Sequence, residues 1–474
     1  MSLILVANRA PVRQTADGWA PGLGGLASAL LPVLEQRGGA WVAMQEPGEG
    51  TPLVQPYPAD DPAFAIRRVA LDGPEFQAFY QGMSNRVLWP LAHYLVEHVE
   101  PDRGFRDAYR SVNRRFAHAA LDLARRPLAG SDPGPPTIWV QDYHMMLVPA
   151  MIRSGMPEAR IGFFWHVPWP ASEMFRVLPS ARDVLAGLMG ADLLGFHTEG
   201  YAENFRESAR DLLGATIEGE AVVWNGRRVR AQAHPIGIDV DRFEGLARSP
   251  EVERAAEALR HDLGDVQIVL GVDRLDYTKG LLMRMEAYER FLERFPDRHG
   301  TVSLVQIATP SRTGVPAYDR LRRDMDEVTG RINGRFAKGA WAPVRYRYQS
   351  FDQPELAAFY RAADVAFVTP LRDGMNLVAH EFAAVSAASG GGGVLVLSEL
   401  TGAADYLGTV DGGPAAVLVN PYDTDGVTQS LADALDMPDA ERRDRLGRLA
   451  GAVRQLDVHG WATRFLESLD GAAA

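Results

Sequence analysis

The chain contains no cysteine among its 474 residues. That excludes disulfides, thiolate catalysis and cysteine-ligated zinc. Long apolar runs are missing too. The opening segment, Met1 to Gln14, is interrupted by Asn8 and Arg9 and lacks a basic leader, so it predicts a first strand and not a signal peptide. No other stretch is long and apolar enough to be transmembrane. Positive charge is in short supply: 49 Lys and Arg against 61 Asp and Glu leave a net −12. A nucleic-acid or anionic-membrane partner is therefore not expected. No metal-ligand spacing such as H-E-x-x-H occurs, and G-x-S-x-G and the P-loop G-x-x-x-x-G-K-[ST] are also absent. The expectation is a cytoplasmic, metal-independent protein acting on small molecules, with a homo-oligomer left open.

With 46% hydrophobic and 23% charged residues the composition is globular, and the length suggests two or three domains. Short apolar runs alternate with amphipathic windows, which argues for parallel sheets in an α/β protein. Strands are predicted at Leu3–Val6, Thr137–Val140, Ile161–Trp165 and Asp192–Phe196, with helices at Leu23–Glu35, Met145–Arg153 and Tyr201–Leu213. Asn225-Gly226 between Val222–Trp224 and Arg228–Arg230 marks a type I′ hairpin. A second series follows. Ser249-Pro250 caps a helix. Strands then fall at Val266–Val272, Ser303–Ala308, Val344–Tyr348, Val365–Thr369, Val394–Ser398 and Ala416–Val419. Two α/β domains are expected, 1–235 and 236–455, with a final helix at about 456–474 packing back on the first.

Open parallel sheets bind ligands beyond the C-terminal ends of their strands. Three clusters stand there. Asn8-Arg9 ends the first strand, and Gly22, Gly24 and Gly25 precede the next helix, where amides can approach a phosphate. Arg274 and Lys279 share one strand-to-helix loop; a planar fork and a mobile point charge suit a diphosphate. The bland alternative is a solvated loop in which Asp273 and Asp276 neutralise the cations. Thr369 to Glu381 runs from a strand into a helix, with Asp373 and Asn376 at the turn and Glu381 further in, able to reach a sugar hydroxyl. Asp142-Tyr143-His144, His166 and Ser311-Arg312 also follow strands.

Taken in order, these segments resemble the trehalose-6-phosphate synthases, the glycosyltransferase family 20 enzymes of GT-B fold. The likeness runs through Asn8-Arg9, Gly24-Gly25-Leu26, Ser84-Asn-Arg-Val-Leu-Trp-Pro90, Asp142-Tyr-His144, Ile161-Gly-Phe-Phe164 and His234-Pro-Ile-Gly-Ile238. It continues through Arg274-Leu-Asp-Tyr-Thr-Lys-Gly-Leu281, Gly330-Arg-Ile-Asn-Gly334, Thr369-Pro-Leu-Arg-Asp-Gly-Met-Asn-Leu-Val-Ala379, Val394 to Ser398 and Val419-Asn-Pro-Tyr422. The resemblance implies two Rossmann-like domains facing each other across a cleft, the first for the acceptor and the second for the nucleotide sugar. It implies transfer of glucose from a nucleotide-glucose, with UDP-glucose the first choice, to glucose 6-phosphate with retention, without cofactor or metal. By position, Arg274 and Lys279 would grip the diphosphate. Gly24, Gly25, Asp373, Gly374, Met375, Asn376, Leu377 and Glu381 would bind the donor. Arg9, Tyr80, Trp89, Tyr143 and Arg312 would bind the acceptor, with Asp142 near the reacting hydroxyl and His166 by the donor sugar. His380 replaces the usual Lys and reads as an exposed helix position. Trp41-Val-Ala-Met44 is similar to the sister glucosylglycerol-phosphate synthases, but Ser84-Asn85-Arg86 and Thr309-Pro310-Ser311-Arg312 follow the trehalose pattern. A non-catalytic sugar-phosphate sensor is the alternative from another class.

Overall fold

The computed structural model describes residues 3–15, 18–21, 25–48, 53–58, 63–125, 134–264, 266–312 and 315–472. The chain divides into two compact units, Met1–Ile236 with Val458–Ala474, and Gly237–Asp457.

The first unit contains β1 (Leu3–Val6), β2 (Val12–Thr15), β3 (Gly18–Pro21), β4 (Gly39–Gln45), β5 (Val54–Tyr57), β6 (Phe64–Ala70), β7 (Thr137–Gln141), β8 (Arg160–Phe164), β9 (Leu193–Phe196), β10 (Thr216–Glu218), β11 (Ala221–Trp224) and β12 (Arg227–Ala233). Ten of them form one sheet in the order β10-β11-β12-β9-β8-β7-β1-β4-β6-β5. Pairings from β12 to β6 are parallel, and only the ends are antiparallel. All four residues of β1 are buried, as a parallel strand covered on both faces requires. The helix Val458–Ala472 belongs to this unit. Its Phe465 ring lies where a Cβ on Gly162 of β8 or Gly195 of β9 would come within 2.7 Å, so those glycines make its seat.

The second unit contains β13 (Gln267–Arg274), β14 (Val302–Thr309), β15 (Val344–Arg347), β16 (Val365–Val368), β17 (Val394–Ser398), the small pair β18 (Thr409–Val410) and β19 (Gly413–Pro414), and β20 (Val417–Val419). Six form an all-parallel sheet, β15-β14-β13-β16-β17-β20. Among its parallel strands, each main sheet has one switch point from which the chain proceeds to both sides: between β1 and β7 in the first unit, and between β13 and β16 in the second. Connections leave such points on opposite faces and open a crevice at the strands' C-terminal ends.

Most predicted elements appear within a residue or two of their expected bounds. Ser249 accepts the Val252 amide ahead of Pro250–Leu263, and Asn225 and Gly226 both take positive φ in their hairpin. The helix expected from Leu23 is Gly25–Arg37; Gly22, Leu23 and Gly24 lie outside the described residues. Strands β4, β5 and β6 and the helices Arg103–Ala124 and Asp439–Gln455 were not anticipated.

The segment Gln77–Leu88 is a π-helix continuous with short α-helices at Gly73–Phe76 and Trp89–Ala92. Such turns bond five residues back and are rare beyond a single turn. Here the side chains reinforce that register. Ser84 Oγ donates to the Phe79 carbonyl at 2.9 Å, and Asn85 Nδ2 donates to the Tyr80 carbonyl at 2.8 Å. Ser84-Asn85 therefore has a structural role in holding this geometry.

Candidate active site

In the second unit, Arg274 ends β13 and Lys279 ends the tight turn Tyr277–Lys279. Gly280 follows at φ +65°, where a Cβ would stand 2.6 Å from the Thr369 carbonyl, so the turn can pack against the end of β16 only with glycine there. Lys279 Nζ is ion-paired with Asp373, both side chains being mostly buried. Asp373 also accepts from the Gly374 amide at 2.9 Å and from Asn376 Nδ2 at 3.0 Å. Asn376 sits at φ +69°, and its Oδ1 is buried with no hydrogen-bond partner. A buried orphan acceptor in a strained turn calls for a donor from elsewhere. Leu377–Ala388 begins at the next residue; the Ala379 amide bonds the Asn376 carbonyl at 3.2 Å, and the Leu377 and Val378 amides ahead of it are the helix N-terminal donors suited to an anion. Met375 is buried and its carbonyl accepts the Ala403 amide at 3.0 Å. Glu381 is partly buried and accepts from Tyr360 OH at 2.7 Å; burial pushes its carboxyl up to about 7.

Beneath these groups lies a layer of buried charge. Arg284 is fully enclosed and pairs with Asp273. It also donates to Thr369 Oγ1 at 3.0 Å, Gln306 Oε1 at 3.1 Å and the Lys279 carbonyl at 3.4 Å. Asp276 is equally enclosed. Arg312 donates to it at 2.9 Å, Arg274 approaches at 3.8 Å, and the Thr278 amide donates at 3.1 Å. Burial pushes the Asp276 carboxyl up, but Arg312, Arg274, the Thr278 amide and Lys279 outweigh it and bring the pKa to about 2.

In the first unit, Arg9 follows β1 and donates to Tyr80 OH at 3.1 Å, while its carbonyl accepts Trp41 Nε1 at 3.0 Å. Tyr80 stacks on His144 with centroids 5.9 Å apart, His144 on Tyr143 at 4.0 Å, and Tyr143 tilts against Trp89 at 5.9 Å. Asp142, after β7, has φ +70° and ψ 169°, a region that side-chain-bearing residues rarely enter. Its amide is held by the Phe164 carbonyl at 2.7 Å, and its Oδ1 accepts the His166 amide at 3.2 Å. His166 Nε2 faces Gln141 Oε1 at 2.8 Å. Burial, then His197, hold His166 well below the ordinary histidine pKa, so the ring is neutral with its hydrogen on Nε2 and a lone pair on Nδ1.

The model for glycosyltransferase family 20 matches residues 2–471. The chain belongs to that family. It is 40% identical to the trehalose-6-phosphate synthase of Mycobacterium ulcerans over 481 residues, covering 98% of this chain and 93% of that protein. It is 39% identical to the bifunctional trehalose-6-phosphate synthase/phosphatase of Thermoproteus tenax over 487 residues, but spans only 64% of that longer protein. Among solved structures, the UDP-forming alpha,alpha-trehalose-phosphate synthase of Burkholderia xenovorans in complex with glucose-6-phosphate superposes with a TM-score of 0.88 at 35% identity, covering 99% of this chain and all of that one. An E. coli structure bound with UDP-2-fluoro glucose gives 0.88 at 34% identity, covering 99% of each chain. The α/β reading of the fold, GT-B in class, stands with these neighbours.

Placed in this family member, the expected residues fall into two groups. Arg274, Lys279, Asp373, Gly374, Met375, Asn376, Leu377 and Glu381 gather at the β13 and β16 ends. Arg9, Tyr80, Trp89, Asp142, Tyr143 and His166 gather at the ends of β1, β7 and β8. Gly24 lies outside the described residues, and Gly25 opens the helix Gly25–Arg37. Arg312 belongs to the second unit, bonded to Asp276 and Tyr318, whereas the other acceptor candidates belong to the first. One expectation is corrected, and one alternative is set aside. His380 is fully buried, not exposed, because it lies on the core face of its helix; burial brings its pKa to about 4. Asp273 and Asp276 are buried ion-pair partners, not members of a solvated loop. Arg284 was missed altogether: among the charged residues of Leu281–Arg294, nothing in the pattern marks it as enclosed. Trp41 proves to be a core strand residue that anchors the Arg9 carbonyl. No helix among the described residues is long and apolar enough to cross a membrane.

Proposed function

We propose that this chain transfers glucose from UDP-glucose to glucose 6-phosphate with retention, forming α,α-trehalose 6-phosphate. The observation that carries the reading is the convergence of Arg274, Lys279 and the first turn of Leu377–Ala388 at the switch point between β13 and β16. The leaving group is a nucleoside diphosphate, and two cations with helix amides stabilise the charge that develops on it. Lys279 would exchange Asp373 for the diphosphate, freeing that carboxylate for glucosyl hydroxyls. Glu381 binds the ribose as a carboxylate. Arg9, Tyr80, Trp89, Tyr143 and Arg312 bind glucose 6-phosphate, with Asp142 by its reacting hydroxyl. Neutral His166 lies by the donor sugar. No carboxylate is assigned as nucleophile; the departing phosphate takes the acceptor proton. The B. xenovorans relative is UDP-forming and holds glucose-6-phosphate, and the E. coli one holds a UDP-sugar analogue. Both support the choice of donor and acceptor. Nucleotide-sugar and sugar-phosphate substrates fit a cytoplasmic enzyme.

The test is a product-release assay across UDP-, GDP- and ADP-glucose, with glucose 6-phosphate, glycerol 3-phosphate and glucose as acceptors. Glucose 6-phosphate should lead the other acceptors by orders of magnitude in kcat/KM, because free glucose lacks the anion the arginines call for and glycerol 3-phosphate lacks the ring that Tyr80 and Trp89 would wall, and UDP-glucose should be the preferred donor. Arg9→Ala should raise the glucose 6-phosphate KM far more than the donor KM. A better rate with glycerol 3-phosphate would replace this reading with that of the sister group, and binding without turnover would make the chain a sensor.

A further inference from the structure

The buried layer of the second unit contains a carboxylate that the reaction above does not use. Asp276 divides its two oxygens between two tasks. Oδ1 takes the Thr278 amide at 3.1 Å and the Thr278 hydroxyl at 3.0 Å, which ties it to its own turn. Oδ2 takes Arg312 Nη1 at 2.9 Å and Tyr318 OH at 3.2 Å, with Arg274 Nη2 at 3.8 Å. Arg312 Nη1 also meets Tyr318 OH, closing a three-membered ring of bonds around Oδ2. The Asp276 side chain has no exposed surface, and that of Arg312 is 6% exposed, whereas that of Arg274 is 43% exposed. Arg312 enters the cluster from a backbone φ of +47°, uncommon for arginine and sustained only where the surroundings hold it.

Two guanidinium groups drawn to one oxygen repel each other unless a fixed anion lies between them. On the reading under Proposed function, one of these arginines serves the donor diphosphate and the other the acceptor phosphate. We propose that Asp276 is a positioning residue for both, a shared buried anion that sets the orientation of the Arg274 and Arg312 forks toward two different substrates. Its carboxylate remains charged at any working pH, held by the cations around it. The Thr278 bonds set where Oδ2 sits, and Oδ2 sets where the forks sit. Neither substrate needs to touch Asp276 for its loss to be felt by both.

Asp276→Asn is nearly isosteric and keeps an oxygen for the Thr278 amide, but it turns an –NH₂ toward Arg312 and Tyr318. Steady-state kinetics with both substrates varied should show donor and acceptor KM each raised about tenfold, the scale of coupling between residues in direct contact. Arg274→Ala alone should raise chiefly the donor KM, and Arg312→Ala chiefly the acceptor KM. In the Arg312→Ala background, adding Asp276→Asn should still raise the donor KM while leaving the acceptor KM where the first change put it. A purely structural role would instead lower the melting temperature and the active fraction without that selective pattern. Thr278→Val loosens Asp276 without altering charge, and it should raise both KM values about threefold. The proposal is overturned if Asp276→Asn folds and leaves either KM unchanged. It is also overturned if the acceptor KM rises as much in the Arg312→Ala background as in wild type, or if a folded Thr278→Val leaves both KM values unchanged. If Arg274→Ala and Arg312→Ala themselves fail to separate donor from acceptor, the assignment of the two arginines falls first and the proposal falls with it.

Discussion

Replacing Arg284 by Met would remove a cation that has no exposed side-chain surface and leave Asp273, 2% exposed, without its ion-pair partner. Three further bonds go with it: to Thr369 Oγ1, Gln306 Oε1 and the Lys279 carbonyl. Breaking a buried pair from one side costs about 3–5 kcal/mol, because the remaining charge is uncompensated. For a unit of this size that corresponds to a fall of roughly 6–20 °C in melting temperature. Burial already pushes the Asp273 carboxyl up against the pull of Arg284, so in the variant it would take a proton, and the loss should shrink as pH falls. The double variant Arg284→Met/Asp273→Asn buries no unpaired charge and should recover most of the stability. It should not recover donor binding, because the Lys279 carbonyl and Thr369 still lack the guanidinium that spans them. Calorimetric melting between pH 5 and 8, beside donor KM, separates the two effects. A single variant within about 1 kcal/mol of wild type, or a double variant as unstable as the single, would refute the reasoning.

Glu381, raised by burial to about 7, gives two opposite pH trends. In the proposed role its carboxylate accepts ribose hydroxyls, so donor KM should fall as pH rises through about 7. The folded chain keeps there a proton that the unfolded chain releases near 4.5, so this group's contribution to stability is lost as pH climbs between those values. Glu381→Gln should flatten both profiles, and profiles as steep as wild type would reject the assignment. Asp142→Gly should abolish most turnover yet melt within about 1 kcal/mol of wild type, since relief of about 1–3 kcal/mol of backbone strain offsets the lost bond from the His166 amide. Asp142→Asn should lose turnover while keeping the strain; a glycine variant far less stable than the asparagine one would contradict this.

The second unit was legible because most of its parallel strands are compact apolar runs ended by charged or polar residues, as in Val394–Ser398 and Val365–Val368, with β15 (Val-Arg-Tyr-Arg) the exception. In the first unit, β6 hides a buried arginine. Arg68 is 2% exposed and donates to Gln55 Oε1 of β5 at 2.9 Å, so the strand reads as half polar until its neighbour is known. The helix Arg103–Ala124 did carry a signal: Tyr109, Val112, Phe116 and Ala120 recur at helical spacing within a charged background, and all four are buried. Candidate site residues were visible where motif and strand end coincide, as at Arg274, Lys279, Asp373 and Asp142. Asp276 and Arg284 were not, because nothing in a linear pattern separates a buried ion from a solvated one. That distinction depends on what Thr369, Gln306, Arg312 and Tyr318 bring from distant positions.

The π-helix at Gln77–Leu88 bears on how this region can change in evolution. Because its bonds skip five residues, Phe79, Ser84 and Trp89 form one column, and Tyr80 and Asn85 another. Removing any one residue between them would favour an ordinary α-helix, in which each position lost turns everything downstream by about 100°. That rotation would carry Trp89 away from Tyr143, or Tyr80 away from Arg9, depending on which end of the helix stayed put. The segment can therefore drift in composition but not in length. Its residue count bears on the proposed acceptor site as much as the side chains it presents.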